Sequence, residues 1–205
     1  TGSMTGHSPD ATVTAIREQV GKGITAMLPT EDAAIVSGLL RERFGLPLWQ
    51  FTVSATDANR HAIRYSRMLT GKAKIIVIDR CYHGSVDETF ATLDGQGQTI
   101  KREGNIGAPV DIAVTTRVVE FNDLAGMEKA LAHGDVAAIL MEPAMTNIGI
   151  VLPDDGYLSG VQTLAKKYGA FLIMDETHTL SVGPGGMTNL HGLTPDFLTI
   201  GKALA

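Results

Sequence analysis

The sequence is poor in the residues that would mark several classes of protein. Its 205 residues include one cysteine, Cys81, which excludes an internal disulfide framework and favours a reducing, cytoplasmic compartment. Every apolar run is shorter than a membrane span. Acidic residues outnumber basic ones, 22 to 17, which argues against a nucleic acid as partner. These shortages predict a protein that binds neither a membrane nor a nucleic acid.

The residues that are present suffice for one sizeable core. Hydrophobic residues make up 44% of the chain, and no repeat or linker divides it, so residues 1–205 are predicted to form one domain. Thr1 is either native or left by cloning, since Met4 follows so closely. The chain stops at Ala205, three residues after Lys202. We therefore expect a piece of a longer protein.

Strand-like and helix-like segments alternate along the chain. Apolar spacing predicts helices over residues 10–26, 31–44, 60–70, 123–133 and 156–168. Short apolar runs predict strands over residues 49–53, 74–79, 117–121, 136–141, 170–174 and 197–200, with residues 85–115 mostly irregular. The strands lack inside–outside alternation, as expected when helices cover both faces of a sheet. The fold class predicted is a three-layer α/β/α domain with a mostly parallel sheet.

Two of the predicted strands end in groups of opposite charge. Asp175 follows the run 171–174, and Gly201 and Lys202 follow the run 197–200. In open parallel sheets, ligands bind beyond the carboxyl ends of the strands, so a carboxylate and an amine are predicted at one sheet edge. Partly desolvated surroundings would favour the nucleophilic free amine of the lysine.

The other candidates follow different strand ends. Ser54 or Thr56 can cap a helix whose first amides, that of Ala55 included, form a natural phosphate site. The remaining side chains share a position just beyond a predicted strand: Tyr82, His83, Glu142 and Asn147. An aromatic ring in such a place can lie over a flat bound ring.

Each candidate alone has a plainer explanation as a helix cap, a loop residue or a surface lysine. The string from Asp175 to His178 is similar to the DExH element of nucleotide hydrolases, but no Gly-x-x-x-x-Gly-Lys-Ser/Thr loop precedes it. A metal site is not predicted, because His178 has no second histidine at ligand spacing and Cys81 is distant. Together, however, the candidates supply a phosphate anchor, an aromatic ring, a carboxylate and an amine. Pyridoxal 5'-phosphate requires this combination, with a lysine for its aldehyde and a carboxylate for its ring nitrogen.

The same stretches resemble those of the class III aminotransferases of fold type I, in order and through nearly all of the chain. The matching segments are Thr5-Gly-His-Ser-Pro9, Ser54-Ala-Thr-Asp-Ala58, Thr70-Gly-Lys72, Tyr82-His-Gly84, Asp175-Glu-Thr-His-Thr179 and His191-Gly-Leu-Thr-Pro-Asp196, followed by Gly201-Lys202. Glu142-Pro143 with Asn147-Ile-Gly149 is most similar to the branch that contains glutamate-1-semialdehyde aminomutase.

The resemblance implies a role for each candidate. Lys202 would form a Schiff base with the cofactor and move the proton, and Asp175 would pair with the pyridine nitrogen. Tyr82 would stack on the ring, and the amides of Ala55 and Thr56 would hold the phosphate. The groups near the ring hydroxyl would be Asn147 and His178. The resemblance also implies a homodimer with the active site at the subunit interface, and an N-terminal arm and a small C-terminal domain outside this chain.

The sequence departs from the family pattern at three places. Ala55 stands where the family has glycine, Thr177 where it has valine under the ring, and Ser181 to Gly186 lacks the Gly-Phe-Arg type of continuation. The expected activity is movement of an amino group between an amine or amino acid and a carbonyl compound. Racemisation or epimerisation and phosphate elimination on the same cofactor stay open, as does a non-catalytic or nucleotide-binding α/β domain.

Overall fold

The computed structural model describes residues 2–25, 27–108 and 110–202. Its main sheet has five parallel strands in the order β4-β1-β5-β6-β7. These strands are β1 (Lys74–Ile78), β4 (Thr116–Val119), β5 (Val136–Met141), β6 (Phe171–Asp175) and β7 (Phe197–Thr199). A separate antiparallel hairpin consists of β2 (Ala91–Leu93) and β3 (Thr99–Lys101). The predicted parallel sheet is confirmed.

Seven α-helices occur in the described part of the chain. They are α1 (Asp10–Lys22), α2 (Glu31–Phe44), α3 (Ala55–Thr70), α4 (Ile112–Thr115), α5 (Leu124–Leu131), α6 (Tyr157–Tyr168) and α7 (Gly186–Leu190). Helix α3 packs against β5, β6 and β7, whereas α5 and α6 pack on each other and against β4 and β6. The chain therefore has the three-layer arrangement predicted for it.

The core lies in the middle of the sheet. Every residue of β5 is buried, as are Ile75 to Ile78 of β1 and Leu172 to Asp175 of β6. Burying one such aliphatic side chain contributes about 1.5–3 kcal/mol, so these central strands dominate the stability. The parallel register brings the carboxyl ends of β5, β6 and β7 to one edge, with Met141 beside Met174 and Asp175 beside Thr199.

Helix α3 carries the sequence signals for both of its ends. The hydroxyl of Ser54 accepts a hydrogen bond from the amide of Asp57 at 3.2 Å, and Gly71 ends the helix in a left-handed conformation. Residues three and four apart face the sheet: Asn59, Ala62, Ile63 and Ser66. The helix begins at Ala55, five residues before the predicted start, which places its first turn at the sheet edge.

One local prediction was wrong, and another left out short regular elements. Residues 49–53 form no strand, because no neighbouring strand pairs with them; Val53 is 95% exposed, and the indole of Trp49 instead donates to the carbonyl of Leu46. The region 85–115 contains a 3-10 turn, the β2–β3 hairpin and α4 rather than irregular chain alone. Asp79 anchors the hairpin, since its carboxylate accepts from the hydroxyl of Thr92 and the amide of Leu93.

Helices α1 and α2 contain no buried residues. Helix α1 ends at Lys22, and Ala26, where the predicted helix ended, lies outside the described residues, as do Thr1 and Ala205. Both helices expose apolar side chains: Ile16, Val20, Ile35 and Leu39. Among the helices described, none is both long and apolar enough to cross a membrane.

Candidate active site

One cavity at the carboxyl edge of the sheet collects nearly all the predicted site residues. It has a volume of about 220 Å³ and is lined by Ser54, Ala55, Thr56, Tyr82, His83, Gly84, Glu142, Asp175, Thr177, His178 and Lys202. A second cavity, of about 360 Å³, lies beside β3 and α4 and contains none of the predicted residues. The smaller cavity is the candidate site because its wall carries the predicted carboxylate, histidines and lysine.

The carboxylate of Asp175 is buried, and both of its oxygens are hydrogen-bonded. Its Oδ2 lies 2.8 Å from Nδ1 of His83 and accepts from Nδ2 of Asn59 at 2.9 Å, while Oδ1 accepts from the amide of Thr177 at 2.9 Å. The hydroxyl of Thr199 donates to Oδ1 of Asn59 at 2.8 Å and so fixes the orientation of the asparagine amide. Residues of α3, β6 and β7 thus hold this carboxylate in one position.

The network sets the charge of the pair. Burial by itself would raise the pKa of Asp175, but the hydrogen bond and charge of His83, with further bonds from Thr177 and Asn59, lower that pKa overall. Burial would lower the pKa of His83, whereas Cys81 and Asp175 beside it raise the pKa overall. A buried imidazolium–carboxylate pair therefore faces the cavity at neutral pH.

The start of α3 forms a cradle of free amides. The amide of Asp57 is satisfied by Ser54, but those of Ala55 and Thr56 find no acceptor in the described part of the chain. Such amides and the positive end of a 16-residue helix favour an anion. Gly84 closes against this turn: a Cβ there would come within 2.0 Å of Oγ1 of Thr56.

Lys202 is half-buried and lines the same cavity, in a left-handed backbone conformation with φ of 52°. Gly201 before it passes close to α3, since a Cβ on Gly201 would lie 3.2 Å from Cβ of Ala55. The hydroxyl of Thr177 is buried in the same wall and has no hydrogen-bond partner among the described residues. An unpaired buried hydroxyl is costly, so the wall is suited to a bound polar group.

The remaining candidates differ in their placement. Glu142 is buried and connected to His178 through the hydroxyl of Thr146. Asn147 is exposed, does not line the cavity, and has its amide 3.4 Å from the carbonyl of Arg80. Tyr82 lines the cavity with 43% of its surface exposed.

Glu176 holds the loop that departs from the family pattern. Its Oε1 accepts from the amide of Thr188 at 2.5 Å, and its Oε2 accepts from the hydroxyl of Thr179 at 2.5 Å and the amide of Met187 at 3.3 Å. The side chain is fully buried. It ties the segment after β6 to α7 and keeps the neighbouring Asp175 and Thr177 in place.

Sequence analysis missed three functional candidates, Asn59, Thr199 and Thr146. Asn59 could have been found by starting the helix at its Ser54 cap, because it is then a polar residue on the buried face of an amphipathic helix. Thr199 could have been noticed as the polar member of an apolar strand. Nothing in the sequence distinguishes Thr146, whose position depends on the path of the loop after β5.

The chain belongs to the class-III aminotransferase family, whose pattern it matches over residues 2–205. It is 34% identical to glutamate-1-semialdehyde 2,1-aminomutase of Anaeromyxobacter dehalogenans over 98% of this chain and 48% of that protein. The crystal structure of a glutamate-1-semialdehyde-aminomutase from Pseudomonas aeruginosa PAO1 superposes with a TM-score of 0.97 at 51% identity, covering all of this chain and 45% of that one. A second structure of that enzyme, in complex with PMP, has the same TM-score at 50% identity over the same shares of the two chains.

These comparisons confirm the family and fold predicted from the sequence. The chain spans about half the length of the curated relatives it matches.

Proposed function

We propose that this chain forms the cofactor-binding part of a pyridoxal-phosphate-dependent aminotransferase or aminomutase. The observation that supports this most strongly is one cavity bordered by a buried ionised carboxylate, a lysine and the free N-terminus of a helix. Family membership and the relative in complex with PMP support the same conclusion.

The residues present fit the cofactor. Asp175 would hold a protonated ring nitrogen, and the amides of Ala55 and Thr56 would hold the phosphate. Tyr82 would cover one face of the ring, and Lys202 would hold the aldehyde carbon through its amine. Asn147 and His178 are proposed for the ring hydroxyl, although in this structure only His178 lines the cavity. When bound, the cofactor supplies an electron sink for the carbon that loses a proton.

Each side chain would then have a separate role in the reaction. Nζ of Lys202 would accept the proton from the substrate carbon and return it to the cofactor side. Asp175 would keep its charge throughout, because His83, Asn59 and Thr177 stabilise its ionised form. Ser54 would keep the α3 turn in place by capping it. The polar Thr177 would contact the bound ring where an apolar residue is usual.

The reaction we propose moves an amino group between an amine or amino acid and a carbonyl compound. The similarity to glutamate-1-semialdehyde aminomutases favours migration within one small amino aldehyde over transfer between two molecules. Racemisation and phosphate elimination use the same groups, and they are the alternative reactions that an assay must distinguish from amino-group movement.

We further propose that the whole protein is a cytoplasmic homodimer. The exposed apolar side chains of α1 and α2 support this, because a partner subunit would bury them. Sedimentation of the full-length protein should give a dimer, and a monomer at micromolar concentration would count against it. The buried free thiol of Cys81 is compatible with a reducing compartment.

The full-length protein tests the cofactor assignment. It should bind pyridoxal phosphate with a visible absorption band that bleaches with an amine donor and returns with a carbonyl acceptor. After borohydride reduction, mass spectrometry should find the cofactor on the peptide that contains Lys202. Lys202→Ala should remove this adduct, whereas Lys167→Ala, at an exposed lysine paired with Glu128, should retain it. An adduct that persists in Lys202→Ala would overturn the assignment.

A further inference from the structure

A second carboxylate–histidine pair lies in the cavity wall, separate from Asp175 and His83. Glu142, at the end of β5, is 2% exposed, and its Oε2 accepts from the hydroxyl of Thr146. The same hydroxyl oxygen lies 2.8 Å from Nδ1 of His178, which is itself 3.4 Å from Oε2. Three side chains thus form one chain of hydrogen bonds from the wall of the cavity to the end of a central strand.

The order of donors and acceptors in these hydrogen bonds determines that Nδ1 of the histidine is protonated. A hydroxyl carries one proton, and Thr146 donates it to Glu142, so Nδ1 of His178 must supply the proton in the other bond. In the neutral ring, the Nε2 atom of His178 then carries the lone pair. It has no partner among the described residues, and the side chain, 25% exposed, lines the cavity.

The pairing is supported by the surroundings of Glu142. Its Oε1 is buried and receives no hydrogen bond from the described residues. A buried carboxylate needs compensation, and here Thr146 and His178 provide it on the one remaining oxygen. Replacing the threonine hydroxyl would therefore disturb the carboxylate and the histidine together.

We propose that Glu142 and Thr146 are positioning residues that hold His178 as an Nδ1-protonated imidazole, with Nε2 presented to the cavity as an acceptor for a donor group on the bound molecule. The identity of that molecule rests on the proposed function. Its hydroxyl and ammonium groups are the ones that could donate a hydrogen bond to Nε2. The order resembles that of a carboxylate orienting a general base, with a threonine inserted between them.

The tautomer can be observed directly in the full-length holoenzyme. Nitrogen-15 NMR of the histidine-labelled protein at pH 8 should show His178 neutral and protonated on Nδ1, with assignment from His178→Gln. A neutral ring protonated on Nε2, or an imidazolium, at that pH would overturn the proposal. Apart from the variant used for assignment, this measurement needs only the wild-type protein.

Thr146→Val removes the hydroxyl without changing the shape of the side chain, and Thr146→Ser keeps the hydroxyl. We expect Thr146→Val to lose the Nδ1-protonated signal and to lower kcat by about tenfold or more, as when a partner that orients a functional histidine is removed. Thr146→Ser should stay within about twofold of the wild type. Thr92→Val is the matched control, since Thr92 also donates to a carboxylate, that of Asp79, but lies in the hairpin outside the cavity.

The visible band of the bound cofactor adds a third measurement. Its midpoint in a pH titration should move in Thr146→Val and stay unchanged in Thr92→Val. Tyr82, His83, Asp175 and Lys202 also face the cavity, and they are the same in both variants. If both variants keep the wild-type midpoint, tautomer signal and kcat, the inference fails while the function stands. If the wild type shows no cofactor band, the proposed function itself fails.

Discussion

Nδ1 of His83 and Oδ2 of Asp175 lie 2.8 Å apart, and both side chains are almost completely buried. They come from different strand ends, 92 positions apart in the chain. Because each partner stabilises the charged form of the other, the pair keeps an anion at the base of the cavity without a bound ligand. Asp175 is thus ionised and fixed in position before any ligand binds, while the pair as a whole carries no net charge.

The raised pKa of His83 predicts how stability depends on pH. The folded protein holds this proton more tightly than the unfolded chain, whose histidine has a pKa near 6.5. The contribution to stability is therefore complete below about pH 6.5 and is lost as pH rises towards the raised pKa, by at most about 1.4 kcal/mol per pH unit. Chemical unfolding of the ligand-free protein between pH 6 and 10 measures this.

His83→Asn should flatten that alkaline dependence, because the asparagine amide can donate to Asp175 but does not titrate. His191→Asn serves as the control, since His191 is exposed and should leave the wild-type slope unchanged. Equal slopes in the wild type and His83→Asn would show that the buried pair is not ionised as described.

Asp175→Asn should damage both function and stability. We expect kcat to fall by about 10²–10³-fold, the usual effect of removing one preorganised electrostatic partner. The uncompensated imidazolium of His83 should cost about 3–5 kcal/mol in the free energy of unfolding. The double variant Asp175→Asn/His83→Asn should regain part of that loss, whereas strictly additive losses in stability would rule out the coupling.

Gly84→Ala should weaken cofactor binding through Thr56. Gly84 has φ of 82°, and an added Cβ would meet the Thr56 side chain at 2.0 Å and its Cα at 3.1 Å. Gly97, in the hairpin turn, has φ of 75° but open space around it. Both alanine variants carry the same backbone strain, so the further loss in Gly84→Ala, about 1–3 kcal/mol, measures the clash.

The measurements are thermal or chemical unfolding and equilibrium binding of pyridoxal phosphate to the full-length variants. The dissociation constant should rise in Gly84→Ala and stay near the wild-type value in Gly97→Ala. If the two variants bind equally well, the approach of Gly84 to α3 does not shape the phosphate cradle.

Glu176→Gln should destabilise the segment after β6. A glutamine must turn one NH₂ group towards the donors that Glu176 now accepts from, among them the amide of Thr188. Leaving a buried donor unpaired costs about 1–3 kcal/mol, and unfolding in denaturant measures the loss. Glu128→Gln, at an exposed carboxylate paired with Lys167, should cause little change. An equal effect of the two changes would contradict the anchoring role of Glu176.

The strand-end rule explains why most of the cavity could be predicted. Asp175, Lys202 and Glu142 each follow an apolar run, and parallel strands necessarily bring such positions to one edge. The helix cap at Ser54 was equally readable, because its hydroxyl lies three residues before the amide it accepts from. These features depend on local sequence and on one topological regularity.

Other features depend on tertiary contacts that no local pattern encodes. The alternation in residues 49–53 predicts a strand, but a strand forms only beside a partner. The positions of Thr146 and Asn147 relative to the cavity depend on the loop that the Met145–Val151 bridge closes. The contact of Asn59 with Asp175 spans 116 positions and requires α3 to lie across the strands.

The register of β6 has a consequence for how this protein can change. β6 is paired on both sides, with Met141 beside Met174 and Thr199 beside Asp175. Deleting or inserting one residue in the strand would exchange its two faces and turn the carboxylate away from the cavity. Both faces are buried and apolar, so the altered chain would still fold into a compact protein, but an inactive one. Libraries for new substrates should therefore vary side chains around the cavity and keep the length of this strand fixed.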